Sequence, residues 1–399
     1  MRIFYLAARL PDPLLRGYEV RAFHQLRLLS RRHRITLVAY TDGAPRAAAL
    51  ARVREFCDEI HTVPLGLVAM AAGVTRGLLS GRPLQTSIYD TPRMRQTIGG
   101  VLGERRHDVV HVQMARMAAL IDGHPTPPRV VDLIDALSVN MVRRRTYDHG
   151  AGRWLAAFEG ARLAQHEREL CRTWDRALVA SDVDRRAIGD FANLLVNSNA
   201  VDLAQFARAR DERPPGSIVF SGNLGYFPNV DGAVWFAREV LPLIRAAVPG
   251  ATLTIAGARP ARAVRELAAL GAHVRVLGPV DDLALYIGGA RVAVAPLRAG
   301  SGQSLKVLEA MACGTPVVAT RRAVEGLAVA DDTHLLLADD APQFARQVVR
   351  LLGDAACAAR LADAGRRLVE TSYDWATSVA ALEAIYESIA APRCESSGS

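Results

Sequence analysis

Lys306 is the only lysine in the chain, and the other side chains that make up the 49 Lys and Arg are all arginine. It lies in "SGQSLKVLEA", Ser301 to Ala310, directly after the turn Gly300-Ser301-Gly302 and three residues before Glu309. The two glycines let backbone N–H groups converge, and Gln303, Ser304 and Leu305 carry the turn into a helix. The start of a helix has unpaired N–H groups and the positive end of its dipole, which together attract an anion. From one turn inside, the flexible Lys306 stem can bend back and set a point charge on a phosphate. Glu309 shares that helix face. A carboxylate repels phosphate, so its partner should be neutral with two donors, as a vicinal diol is. Each charge-assisted bond would contribute ~1.5–3 kcal/mol. A phosphate and a diol about 4.5 Å apart along the axis describe a nucleoside diphosphate. The plainer alternative is a surface Lys–Glu pair contributing about 0.2–0.5 kcal/mol.

Such a turn must be held by strands. Short apolar runs alternate with helical periodicity along the chain, which predicts an α/β protein with parallel sheets and crossover helices. Strands are expected near Ile3–Ala8, Ile35–Tyr40, Val109–Val112, Val130–Ile134, Ala177–Ala180 and Leu194–Val196. A second series falls at Ser217–Ser221, Thr252–Ala256, Val274–Leu277, Val292–Ala295 and Val317–Ala319. Helices are expected at Glu19–Leu29, Ala47–Phe56, Trp154–Cys171, Val230–Ala247, Arg262–Leu270, Leu305–Met311, Pro342–Leu352 and Tyr373–Ile389. "ARARDERPPGS" between the two series is charged, aperiodic and ends in Pro-Pro-Gly, as a linker does. The expected division is a first domain over 1–206, a linker over 207–216 and a second domain over 217–372. A C-terminal helix over 373–390 returns to the first domain, and 391–399 form a disordered tail.

A chain of 399 residues exceeds what one core usually supports, which also argues for two domains. Half the residues are hydrophobic and the formal net charge is +8. The five cysteines include no C-x-x-C pair, so a disulfide framework is not expected and a reducing cytoplasm fits. The longest apolar run, Leu65–Val74, is too short to cross a bilayer that needs about 20 residues, and "MRIFYLAARL" reads as a strand and not a signal peptide. The expected location is cytoplasmic, at the inner face of the cell membrane. The helix around Glu19–Arg34 contains Arg21, Arg27, Arg31, Arg32 and Arg34, an expected peripheral contact with an anionic membrane. Its stripe Phe23, Leu26 and Leu29 suits sheet packing equally well. Nucleic acid is not expected, because the basic residues lack interleaved aromatics and a recognition motif.

The flanks of the opening stretch, "KVLEAMACGTPVVAT" followed by "EGL", resemble the donor signature of glycosyltransferase family 4. "VNSNAVDLAQF" (Val196–Phe206) is similar to that family's domain junction, with Ala200 where a glycine is usual, and "WDRALVASDVDR" resembles the strand before it. "FSGNLGYFPNVDGAVWF" and "LPDPLLRGYEVRAFHQLRLLSRRHRITLVAY" resemble a subgroup that makes exopolysaccharide. The resemblance covers nearly the whole chain. It implies the GT-B fold, in which two Rossmann-like doubly wound domains face a central cleft. It also implies retaining transfer of a sugar from a nucleoside-diphosphate sugar, UDP- or GDP-linked, to a glycan or polyprenyl-linked acceptor.

There are departures from the family's pattern. Ser301 stands where the first of two signature glutamates is common, and Asn223 and Asn229 replace the usual phosphate cations. Lys306 with Arg298 must then supply the positive charge. Gly222 and Asn223 at one strand end and Gly257 at the next are expected to face the diphosphate. The base is expected in the loop around Val280, and the backbone at Gly17 is expected to approach the transferred sugar. The usual acceptor-side histidine is missing. Asp135 lies nearby and would bond a sugar hydroxyl or cap a helix, and His111 ends a strand that could reach the cleft. Retention without a clear nucleophile implies front-face attack with leaving-group stabilisation and no metal or other cofactor. Asp182-Val183-Asp184 could hold a metal but reads better as a helix start with Ser181 or Asp182 as N-cap. Two competing functions share these features. A nucleotide-sugar epimerase would interconvert donors without acceptor, and a catalytically inactive nucleotide-sugar-binding partner subunit would bind them without turnover.

Overall fold

The structure, a computed structural model, describes residues 1–11, 17–43, 47–144, 150–207, 213–300 and 302–390. The β-branched and apolar runs form strands, and all pairings between named strands are parallel. The first sheet contains β1 (Arg2–Ala7), β2 (Arg34–Thr41), β3 (Glu59–Pro64), β4 (Val109–Gln113), β5 (Arg129–Ile134), β6 (Arg176–Val179) and β7 (Leu194–Val196). Their order is β3-β2-β1-β4-β5-β6-β7. The second contains β8 (Ser217–Ser221), β9 (Thr252–Ala256), β10 (Val274–Gly278), β11 (Val292–Ala295), β12 (Val317–Ala319) and β13 (Leu336–Leu337). These run in the order β10-β9-β8-β11-β12-β13.

Both sheets are doubly wound. The strand order reverses beside β1 in the first and beside β8 in the second, and such reversals are where open parallel sheets bind ligands, at their carboxyl ends. Both faces of each sheet are covered, so successive residues of one strand enter different cores. Phe4 and Leu6 pack on one side of β1 while Ile3, Tyr5 and Ala7 pack on the other. Ile218 and Phe220 of β8 likewise oppose Val219. Burial on both faces is why these strands read as continuous apolar runs without alternation.

The chain divides into two compact units, Met1–Asn197 with Ser378–Ser399, and Ser198–Thr377. The segment after Asn197 joins the second unit because Val201 and Phe206 enter its core and Val201 N–H donates to Tyr373 O at 2.9 Å. The helix Trp375–Ile389 gives Val379, Leu382 and Tyr386 to the core of the first unit.

The helix Gly17–Leu29 departs from expectation. Arg21 is completely buried and donates from Nε to Asp132 Oδ2 at 2.6 Å. It also donates from one terminal nitrogen to Asn197 O and Oδ1, both at 2.9 Å. Phe23, Leu26 and Leu29 are buried too. Arg21 therefore takes no part in a lipid contact: its charge is neutralised inside the first unit, and the apolar stripe of its helix packs on the sheet. Arg32 pairs with Glu383 at 3.0 Å. Among the described residues no helix is long and apolar enough to cross a membrane.

Candidate functional site

In the second unit, β8 gives way at its carboxyl end to Gly222 and β9 to Gly257, with φ of 140° and 150°. The two backbones touch. A Cβ on Gly257 would lie 1.7 Å from Gly222 O, so only glycine fits. A Cβ on Gly222 would meet Asn229 Nδ2 at 3.1 Å and Lys306 Cε at 3.3 Å. Gly222 is thus bare backbone beneath the Lys306 side chain, beside the point where the strand order reverses.

Lys306 belongs to the helix Leu305–Ala312, whose N-cap is Ser304. Gly300 and Gly302 precede it with φ of 103° and 79°; Ser301 lies outside the described residues. Ser304 makes no side-chain capping bond, and its Oγ is buried without a partner. Lys306 Nζ donates to Asn229 Oδ1 at 2.8 Å and sits 5.6 Å from the centre of the Phe220 ring. Asn229 Nδ2 in turn donates to Asn223 O at 2.9 Å. Burial draws the Lys306 ammonium down to about 8, opposed by the nearby Glu309. Burial likewise raises Glu309 to about 7, opposed by Lys306. Glu309 O accepts from Cys313 N–H at 3.0 Å, while its carboxylate makes no hydrogen bond to the described residues. A half-buried ammonium whose one hydrogen bond goes to a neutral amide, and a half-buried carboxylate with none, are groups that a ligand would satisfy.

The other expected donor-site residues are placed differently. Arg298 follows β11 and makes two bonds to Asp231, at 2.6 and 3.0 Å, with its guanidinium 5.4 Å from the Trp235 ring centre. Its charge is already answered. The Gln303 side chain is committed within its own unit, accepting from Asn199 N–H at 2.9 Å and donating to Gly326 O at 2.8 Å. Val280 lies in the short connection between β10 and the helix Leu283–Gly288. Asn223 Oδ1 accepts from Gly225 N–H at 3.1 Å.

In the first unit, Gly17 is exposed at the start of its helix. Asp135 follows β5 directly after Ile134, which has a left-handed φ of 68°. The Asp135 Oδ1 is buried without a partner, and burial, with Asp184 second, raises its carboxyl to about 7. Asp184 is committed elsewhere: Ser181 Oγ donates to it at 2.5 Å and Ala136 N–H at 3.0 Å. Ser181 caps the helix Asp182–Ile188 by accepting from Asp184 N–H at 3.1 Å.

The acceptor-side reading of His111 is corrected. Its residue is completely buried, its ring stacks on Tyr5 at 4.4 Å, and its Nδ1 bonds Tyr386 Oη at 2.8 Å. Burial pushes it down to about 4, so it is a neutral core residue with no access to a ligand. Sequence reasoning passed over the network beside it. Tyr5 Oη donates to Gln25 Oε1 at 2.6 Å, and Gln25 Nε2 to Asp132 Oδ2 at 3.3 Å. The available signal was Asp132 itself, a carboxylate inside the apolar run "VVDLI" that burial obliges to find a cation.

Residues 215–354 match the family model for "Glycosyl transferases group 1", and that span contains Gly222, Asn229, Gly257, Lys306 and Glu309. Over 97% of its length the chain superposes on sucrose-phosphate synthase from Thermosynechococcus elongatus, covering 99% of that chain, at a TM-score of 0.72 and 18% identity. The Anabaena HepE structure in complex with UDP and glucose superposes over 97% of this chain and all of its own, with a TM-score of 0.67 and 16% identity. The chain has the GT-B fold. By sequence it is 32% identical to the phosphatidyl-myo-inositol mannosyltransferase of Mycolicibacterium smegmatis, over 59% of this chain and 61% of that protein. It is 35% identical to the D-inositol 3-phosphate glycosyltransferase of Salinispora arenicola, over 53% of each. The chain therefore spans between half and about three-fifths of the curated relatives it matches.

Proposed function

We propose that this GT-B protein is a retaining glycosyltransferase. It moves a sugar from a nucleoside-diphosphate sugar to a glycan or lipid-linked acceptor in cell-surface polysaccharide synthesis. The carrying observation is the pair Lys306 and Glu309 on a helix that begins at a glycine turn, with Lys306 directly over the bare backbone of Gly222. The N–H groups at the helix start and the Lys306 ammonium hold the diphosphate, and Glu309 accepts from the two ribose hydroxyls. As the glycosidic bond breaks, negative charge grows on the departing phosphate. Lys306 lies in a half-buried, low-dielectric site where its charge stabilises that change more than water would. Arg298 contributes less, because Asp231 already neutralises it. On the acceptor side, the unpartnered Asp135 oxygen accepts from a sugar hydroxyl, and Gly17 lets backbone approach the sugar.

A thermal-shift series with UDP, GDP, ADP and dTDP tests this. One diphosphate at ~100 times its Kd should stabilise the chain by ~2.7 kcal/mol, and Lys306→Ala should abolish that shift. No response to any of the four, or equal responses in the variant, would overturn the reading.

A further inference from the structure

The helix Leu67–Ser80 is packed inside out. A surface helix ordinarily turns its large apolar side chains inward and its polar face to water. Here the buried residues are Gly73 and Gly77, one turn apart, and of the large apolar side chains Met70 packs on the core. A Cβ on Gly73 would lie 2.5 Å from Ser87 O, and one on Gly77 2.9 Å from Ser87 Oγ. The opposite side presents Leu67 (84% exposed), Val68 (85%), Leu78 (56%) and Leu79 (85%). A second apolar row lies beside its end. Trp154 (79% exposed), Leu155 and Phe158 project from the first turns of the helix Ala151–Thr173. Arg162 of that helix joins the two, donating to Gly77 O at 3.2 Å with its guanidinium 3.8 Å from the Phe158 ring centre. Exposed apolar surface on this scale marks an interaction site.

The charges around it identify the partner. No Asp or Glu occurs between Leu65 and Tyr89, a span that includes Arg76 and Arg82. Glu159 is buried and occupied, accepting from Leu84 and Gln85 N–H, both at 2.9 Å. Asp90 is paired with Arg95 at 2.6 Å and, more loosely, with Arg82 at 3.7 Å, so it is outnumbered by the arginines beside it. Arg76, Arg82 and Arg153 are exposed. A second copy of this face would bring like charges together. A tryptophan, leucines and arginines on one exposed surface match the boundary between acyl chains and acidic headgroups.

We propose that this face of the first unit docks on an anionic lipid surface. Leu67, Leu78, Leu79, Trp154 and Phe158 enter the acyl boundary, and Arg82 and Arg153 meet the headgroups. The proposal stands apart from the transferase reading, since it concerns the protein without nucleotide or acceptor.

Tryptophan fluorescence tests it directly, because Trp174, Trp235 and Trp375 are all buried and Trp154 alone among the tryptophans responds to a surface event. Vesicles containing phosphatidylglycerol should shift its emission to the blue and carry the protein down on sedimentation. Phosphatidylcholine vesicles should do so weakly. Leu78→Gln with Leu79→Gln alters only exposed side chains and should lower partitioning by about tenfold or more. Arg82→Gln with Arg153→Gln should lower it about thirtyfold, at ~1 kcal/mol per arginine near an acidic surface, and only on the acidic vesicles. Absence of the blue shift with acidic vesicles would overturn the proposal. So would unchanged partitioning in both variants when their circular dichroism matches the parent. So would light scattering that finds a dimer in which Trp154 is already shielded.

Discussion

Lys306 and Glu309 are both carried away from their ordinary ionisation by burial, and in opposite senses. The ammonium titrates near 8 and the carboxyl near 7. For the proposed chemistry the lysine must be charged, which holds below its pKa. The glutamate must be ionised to accept from both ribose hydroxyls, which holds above its own. The donor kcat/KM should therefore follow a narrow bell with limbs near pH 7 and 8, since this ratio reports the free enzyme. Lys306→Arg keeps its charge at every accessible pH, so its alkaline limb should vanish while the acid limb stays. Its maximum should also be lower, because a planar fork replaces a point charge. Glu309→Gln should remove the acid limb. An alkaline limb that persists in Lys306→Arg would assign that titration to another group. This pair was legible beforehand because a lone lysine in an arginine-rich chain is conspicuous. Its anchor was not: Asn229 comes from a helix far away in sequence, and only folding brings its Oδ1 to Lys306 Nζ.

Strands and helices were legible where burial imposed a period or an apolar run, and obscure where it did not. The expected strands in the first sheet correspond to β1, β2 and β4 to β7, each built on an apolar run. β3, "EIHTVP", was passed over because it is an edge strand with mostly half-buried side chains. The helix Leu67–Ser80 was unread for the inverse reason, since Leu67, Val68, Leu78 and Leu79 point outward while its two glycines are buried. The stretch Val230–Ala247 reads as one helix, yet Phe236–Val240 forms a π turn. Pro242 lacks the N–H and crowds the preceding turn, which favours such a local rearrangement. The buried ion pair between Gly17–Leu29 and β5 carries a prediction. Asp132 and Arg21 are both fully buried, at 2.6 Å. Arg21→Met leaves the carboxylate uncompensated and should cost about 3–5 kcal/mol in urea unfolding. The double change of Arg21→Met with Asp132→Leu should recover much of that loss. A single variant as stable as the parent would show that the pair carries no such constraint.

The last expectation concerns how the two units share one chain. Each has its own doubly wound sheet and cores on both faces, so each can unfold as a cooperative body. The proposed diphosphate contacts, Gly222, Lys306 and Glu309, all lie in Ser198–Thr377. The helix at the end of the chain contributes instead to the first unit, where Tyr386 bonds His111 and Leu382 is fully buried. Calorimetry should therefore resolve two transitions with separable responses. The preferred diphosphate should raise only the transition of the second unit, by mass action on the state that binds it. Leu382→Ala should lower only the other, with a cost of about 2–5 kcal/mol for an emptied core site. A diphosphate shift confined to the transition that Leu382→Ala lowers would place the nucleotide in the first unit and sink the assignment of Lys306. A single transition moved by both would instead mean that the units unfold together, and Lys306→Ala would then have to remove the diphosphate shift for the assignment to survive.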